Sequence, residues 1–249
     1  MRVIVGLCLL GVVCLVPAVA ESKTPKPPKV DLTDYLDADP QVGDFRTYLR
    51  DDGPERTSTV YGATELKKST VFGNRIVEDG DDVGAGITEL VHGKEERLGS
   101  LFYPSGLSFV ISRPKRILPF QLAPGVAVKF KVGFKAVIDH HKVGSATLAG
   151  DTTFVGFESV TTHLGTFDQT AHFLRHETLT LKGADVPTHI DSVSDTWISL
   201  ELGTVLSHVE QQVFRDGVLD STFGPHDYEL DRGMYQGAPF GNPPPPGSP

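Results

Sequence analysis

Apolar and polar side chains alternate without a break between Val126 and Ile138. Val126, Val128, Phe130, Val132, Phe134, Ala136 and Ile138 fall on one face, and Lys129, Lys131, Lys135 and Asp139 on the other. A period of two marks a β-strand with one face buried and one in water. At about 3.3 Å per residue the segment spans roughly 43 Å, more than twice a usual strand. That length suits a curved sheet or an open barrel better than a compact sandwich.

Further strands are expected at Phe45–Arg50, Thr57–Ala63, Ser69–Glu78, Ile87–Val91, Ser100–Tyr103, Leu107–Ser112, Thr147–Thr162, Gln169–Leu181, Thr196–Leu200 and Thr204–Phe214. Asp51-Asp52-Gly53-Pro54, Asp79-Gly80-Asp81-Asp82, Pro104-Ser105-Gly106 and Arg215-Asp216-Gly217 separate them with residues that tolerate turn backbone angles. Connections this short make sequence neighbours pair in order. No window shows a sustained 3.6-residue period; Leu32–Leu36 predicts one helical turn. The expected fold class is all-β: an antiparallel meander forming a curved sheet or open barrel, with little helix. Its apolar face must be covered by curling, by a second sheet, or by a ligand.

The ends read differently. Arg2, the apolar run Val3–Val16 and Pro17-Ala18-Val19-Ala20 form the pattern of a secretory signal peptide over residues 1–20. The run is shorter than the ~20 residues a membrane-spanning helix needs, so no transmembrane segment is expected after cleavage. Residues 21–30, rich in proline and lysine, predict a solvated spacer, and 233–249, with Pro243-Pro244-Pro245-Pro246, a disordered tail. A single β domain is expected over 31–232. Asn74 and Asn242 do not head glycosylation triplets, which favours bacterial export to the periplasm or beyond.

Composition narrows the chemistry. Both cysteines, Cys8 and Cys14, lie in the signal, which leaves the exported chain without disulfides, thiolate nucleophiles or cysteine-ligated zinc. The formal charge is −9, so long-range electrostatics oppose nucleic acid and anionic membranes. No phosphate-cradling loop or dinucleotide fingerprint is present, and no cofactor is expected.

Three stretches carry a family resemblance. The segment Asp34–Tyr48 runs through Pro40, Gly43 and Phe45 to Tyr48, with phenylalanine where the family's opening pattern has tryptophan. Phe157–Phe167 matches a middle segment, with His163 at a usual proline position, and Trp197–Val205 a closing hairpin that lacks its proline and first glycine. Together they resemble a family of exported bacterial β-rich proteins, mostly of unknown function, whose open barrel is similar to that of the periplasmic lipoprotein carriers. The resemblance implies a fold more than an activity. Independently of it, Gly165 and Gly203 sit between apolar runs where positive φ would let strands reverse, and Phe167 and Trp197 supply apolar cover nearby.

Each motif that could carry chemistry has a plainer reading. His172 and His176 share a strand face, but Phe173 stands where a metalloprotease-like site needs a glutamate, so a solvent-facing histidine row is expected. His140 and His141 would point to opposite faces. The acids of Glu78-Asp79-Gly80-Asp81-Asp82 lack the spacing of a calcium loop and read as a solvated turn. Tyr103-Pro104-Ser105-Gly106-Leu107 lacks the first glycine of a nucleophile elbow. Arg113-Pro114-Lys115-Arg116 followed by Ile117-Leu118-Pro119-Phe120 reads as a loop with solvated cations and hydrophobes capping the core.

No catalytic, cofactor or metal residue is therefore assigned. The expectation is a non-enzymatic exported envelope protein that binds a lipid or other apolar ligand in an open barrel. Val128, Phe130, Val132 and Phe134 would line the ligand or form plain core. The alternative is a structural or protein-interaction module of the cell envelope, with a protein partner held through a sheet edge or the proline-rich tail.

Overall fold

The computed structural model describes residues 27–37, 40–183 and 188–241. The signal reading at 1–20 lies outside the described residues. Strand β1 (Val30–Asp31) and the one-turn helix α1 (Thr33–Leu36) come first, the latter where one turn was expected. A meander follows: β2 (Phe45–Arg50), β3 (Glu55–Leu66), β4 (Ser69–Glu78), β5 (Asp81–Val91), β6 (Glu95–Phe102) and β7 (Leu107–Val110). The short strands β8 (Lys115–Pro119) and β9 (Gln121–Leu122) occupy the connection to β10 (Ala127–Ile138). The long strands β11 (His141–Thr162), β12 (Gly165–Lys182), β13 (Thr188–Ser199), β14 (Gly203–Arg215) and β15 (Val218–Tyr235) continue it, and β16 (Ala238–Gly241) ends it.

Every neighbouring pair is antiparallel, as short connections require. Strand β15 pairs with both β14 and β2, so the ladder runs full circle through twelve strands. The meander expected from the sequence is thus a barrel, and its ring of ladders is complete. It is thinnest at β6–β7, where only Leu101↔Phe109 and Phe102↔Ser108 pair and β6 gives its first half to β8. Closure leaves few free strand edges; β16 pairs on its β15 side alone.

Two-residue turns with positive φ join several hairpins, including Asp79-Gly80 (φ 51 and 83) and Asp216-Gly217 (φ 50 and 75). Their twist matches that of the flanking strands. Gly165 and Gly203 also have positive φ, 130 and 73. Gly150 serves closeness instead of turning: a Cβ there would lie 2.1 Å from the His176 carbonyl and 2.9 Å from the Phe130 ring. Only glycine lets β12 and Phe130 approach β11 this far.

The alternation in β10 has the predicted outcome. Phe130, Val132, Phe134 and Ala136 are buried, and the lysines between them are exposed. Their cover comes from inside the barrel. Leu32, Ile117, Leu118 and Leu122 pack into the same core as β10, Phe154 and Phe173, with Leu32 and Leu122 at 0% and 1% exposure. The β7–β10 connection thereby forms a plug, and Lys115 and Arg116 remain solvated at its start. A backbone bond from Leu32 N–H to the Phe120 carbonyl (2.8 Å) fastens the N-terminal segment to it.

Two expectations need correction. The sequence pattern predicts no strand over residues 218–235 and a tail from 233, yet β15 runs to Tyr235 and β16 to Gly241. Gly224, Pro225 and the scattered acids of β15 hide any alternation; pairing with strands on both sides holds it extended. Residues 242–249 lie outside the described residues. Among the described residues, no helix is long and apolar enough to cross a membrane.

Candidate functional site

The barrel wall opposite β10 is polar on its inner face. In β2, Arg46, Tyr48 and Arg50 alternate with Phe45, Thr47 and Leu49. Register carries that set onward: Tyr48 opposes Arg56 and Arg46 opposes Ser58 on β3, and Arg50 opposes Tyr228 on β15. Ser58 in turn opposes Ile76 on β4. Tyr48, Arg56, Ser58, Ile76, Thr204, Ser207, Val209 and Tyr228 line a concave space of about 200 Å³. A smaller cavity of about 90 Å³, bounded by Asp44, Arg46, Val60, Phe72 and Asn74 among others, shares Ser58 with it.

The groups around the larger cavity are unevenly paired. Arg50 binds Asp52 with Nε and Nη2 and Glu78 with Nη1, so its charge is neutralised twice. Glu78 is the cross-strand neighbour of Arg56 and is turned away to Arg50. Arg56 has no ion pair among the described residues; its guanidinium carbon lies 5.0 Å from the centre of the Tyr228 ring. Arg46 donates Nε–H to the Leu202 carbonyl (2.8 Å), lies over the Tyr235 ring, and likewise has no carboxylate. The Tyr228 hydroxyl is closed off from solvent with no hydrogen bond of good geometry, and Arg50 is the charged group beside it. An unpartnered buried hydroxyl costs about 1–3 kcal/mol, which makes it the most conspicuous polar group of the interior.

Burial pushes the Tyr48 hydroxyl above its ordinary pKa, and the nearby Arg46 and Arg56 pull it back. Tyr48 keeps partial solvent exposure while lying deep in the barrel, as a side chain facing an internal cavity does. Glu96 on β6 is another titratable group shielded by the surrounding protein. Burial raises its carboxyl, Arg175 opposes the shift, and Glu177 adds to it. Arg175 and Glu177 belong to β12, four strands round the ring, so these charges meet across the interior.

No protein-family model matches the chain, and no curated protein does. Two solved structures are similar. One, described as an exported protein with a YmcC-like fold from Bacteroides fragilis, is 14% identical, with a TM-score of 0.47 over 79% of this chain and 98% of that one. The other, described as a lipoprotein from Parabacteroides distasonis, is 16% identical, with a TM-score of 0.41 over 77% and 95%.

The residues singled out in the sequence lie elsewhere. Phe130, Val132 and Phe134 are packed against the plug, and Val128 borders that core, so the predicted lining of β10 is plain core. His172 and His176 share the outer face, each with its own carboxylates. The His172 ring nitrogens lie 3.0 Å from Glu158 and 2.9 Å from Asp195, and the ring stacks on Trp197 at 4.3 Å. His176 lies 3.4 Å from Asp151. The indole N–H of Trp197 reaches Glu158 at 3.1 Å, and these bonds hold the Glu158 carboxyl below its ordinary pKa.

The acidic turn is spent on arginines, Glu78 with Arg50 and Asp82 with Arg75. Asp51, Asp52 and His226 place ligand atoms within 4.8 Å of one another. Both oxygens of Asp52 already face Arg50, which supplies the positive charge a metal would bring. Ser105 sits in the exposed β6–β7 turn, and His140 in the β10–β11 turn with φ 66.

His163 acquires a role that its position in the motif did not show. Its ring nitrogens lie 2.8 Å from Glu229 and 3.0 Å from Asp231, and its backbone N–H also reaches Glu229. These bonds tie the tip of the β11–β12 hairpin to β15, three strands round the ring, and Val160, Leu164 and Phe167 pack beneath it against Trp197, Val205 and Leu230. Bulges in β11 near Gly156 and Val160 let the hairpin bend this far.

Proposed function

We propose that the protein is an exported binding protein that holds a small amphipathic ligand inside its barrel. The supporting observation is the cavity between β2–β4 and β14–β15, where Ile76 and Val209 offer apolar contact beside Arg56, which has no ion pair among the described residues. A few converging polar groups in a concave, partly apolar space is the usual composition of a ligand site. The signal pattern at residues 1–20 supports a periplasmic or secreted location. The ligand enters the polar wall, because the apolar wall of β10 is filled by the plug.

Native mass spectrometry of the protein purified from its own export compartment tests this reading. A small-molecule adduct released by organic solvent is expected, and it should be lost in Val209→Trp, which fills the cavity. A chain found only at its own mass, with or without that substitution, overturns the proposal. A protein adduct would instead favour the envelope interaction module, for which the half-paired β16 next to the proline-rich 242–249 provides the docking edge.

A further inference from the structure

The protein carries a net charge of −9, yet its barrel cavity is bordered by Arg56, whose cross-strand acid Glu78 is paired with Arg50. Placing a guanidinium in a confined space without a carboxylate is costly unless something else supplies negative charge. The Tyr228 ring offsets part of the cost for Arg56, since a cation over an aromatic face gains about 0.5–2 kcal/mol. It leaves the N–H donors of Arg56 unused. Tyr228 is 3% exposed, and its hydroxyl is closed off from the cavity beside Arg50, so the ring alone borders that space. Tyr48 stands opposite Arg56 in the β2–β3 register and adds a hydroxyl. A fork of charged donors beside a hydroxyl is complementary to a planar two-oxygen anion.

Size limits the rest of the ligand. At about 30 Å³ for a water-sized group, the cavity of about 200 Å³ holds roughly seven such groups. That is room for a carboxylate and a short aliphatic body along Ile76 and Val209. We infer that the cavity is selective for aliphatic monocarboxylates, with Arg56 receiving the carboxylate and the Tyr48 hydroxyl completing its hydrogen bonds. The inference rests on the lumen-binding reading above and names its ligand class.

Three probes separate charge from apolar body: hexanoate, 1-hexanol and acetate, each titrated into the purified full-length protein after solvent extraction and followed by ligand-observed NMR. Hexanoate should bind, and 1-hexanol and acetate should each bind at least about tenfold more weakly, as expected for loss of a charge-assisted hydrogen bond or of the apolar contact. Arg56→Gln should weaken hexanoate on the order of 10- to 100-fold and leave 1-hexanol unchanged. Tyr48→Phe removes only an oxygen atom, should weaken hexanoate several-fold, and gives a readout even where the arginine variant fails to fold. If 1-hexanol binds as tightly as hexanoate, or if both variants retain full hexanoate affinity, charge recognition is refuted and lumen binding stands. If hexanoate does not bind at all, the inference is refuted outright, and native mass spectrometry then decides separately on the lumen reading.

Discussion

Leu122 offers the sharpest test of how the barrel is filled. It lies in β9, pairs through the backbone with Val30, and is 1% exposed within the core shared with Leu32, Phe130 and Val132. Leu122→Ala would remove nearly the whole side chain from a site that cannot readily collapse, because rigid strands form its outer wall. Buried Leu→Ala changes cost about 2.7–5.0 kcal/mol, the larger values where the cavity persists. We expect about 3–4 kcal/mol, a large part of the roughly 5–15 kcal/mol by which domains are stable. For a chain of this length each 1 kcal/mol lowers Tm by about 2–4 °C, which makes the expected drop about 6–16 °C. Guanidinium denaturation followed by far-ultraviolet circular dichroism gives the free energy, and a scanning calorimeter gives Tm. A loss below about 1 kcal/mol would mean that Leu122 is wet or loosely held. The plug would then not be what covers β10, and the apolar wall would return as a ligand surface.

Glu96→Gln tests the buried carboxyl. Its folded pKa lies above the ordinary 4.5, so the folded state holds its proton longer than the unfolded one, and stability falls as pH rises from 4.5 through the folded value. The variant should therefore be more stable than the wild type at pH 7 and gain nothing at pH 3.5; equal stability at both pH values would contradict a desolvated Glu96. Replacing His163 by alanine should release the hairpin tip from Glu229 and Asp231, raising amide hydrogen exchange over residues 158–169 with little change in β10. Protection that stays intact there would show that Leu164 and Phe167 hold the tip unaided. Gly203→Ala should cost about 1–2 kcal/mol, since φ is 73 and a Cβ would meet the Arg46 guanidinium at 3.0 Å; a neutral result in thermal melts would exclude strain at this turn. Export should leave Glu21 as the first residue, which intact-mass measurement of the exported protein reads directly.

Local pattern was enough for what depends on local pattern. The alternation in β10 announced a buried face, Asp79-Gly80 and Asp216-Gly217 announced hairpins, and the limits of β2 and β4 were legible residue by residue. The inner wall was not legible by the same rule. Arg46, Tyr48 and Arg50 alternate with Phe45, Thr47 and Leu49, and a rule that turns the apolar set inward chooses the wrong face in β2. Tyr228 was hidden further, in a strand whose glycine, proline and acids suppress any period.

What the chain determined alone is a set of long antiparallel ribbons, because side-chain alternation and turn backbone angles act over a few residues. Tertiary structure decided the rest: that β15 closes the ring, that the β7–β10 connection fills the apolar half, and that Arg56 faces a cavity without a counter-charge. Each of these depends on strand register and on which segment occupies a shared interior, and such relations between distant residues leave no period in the sequence to read.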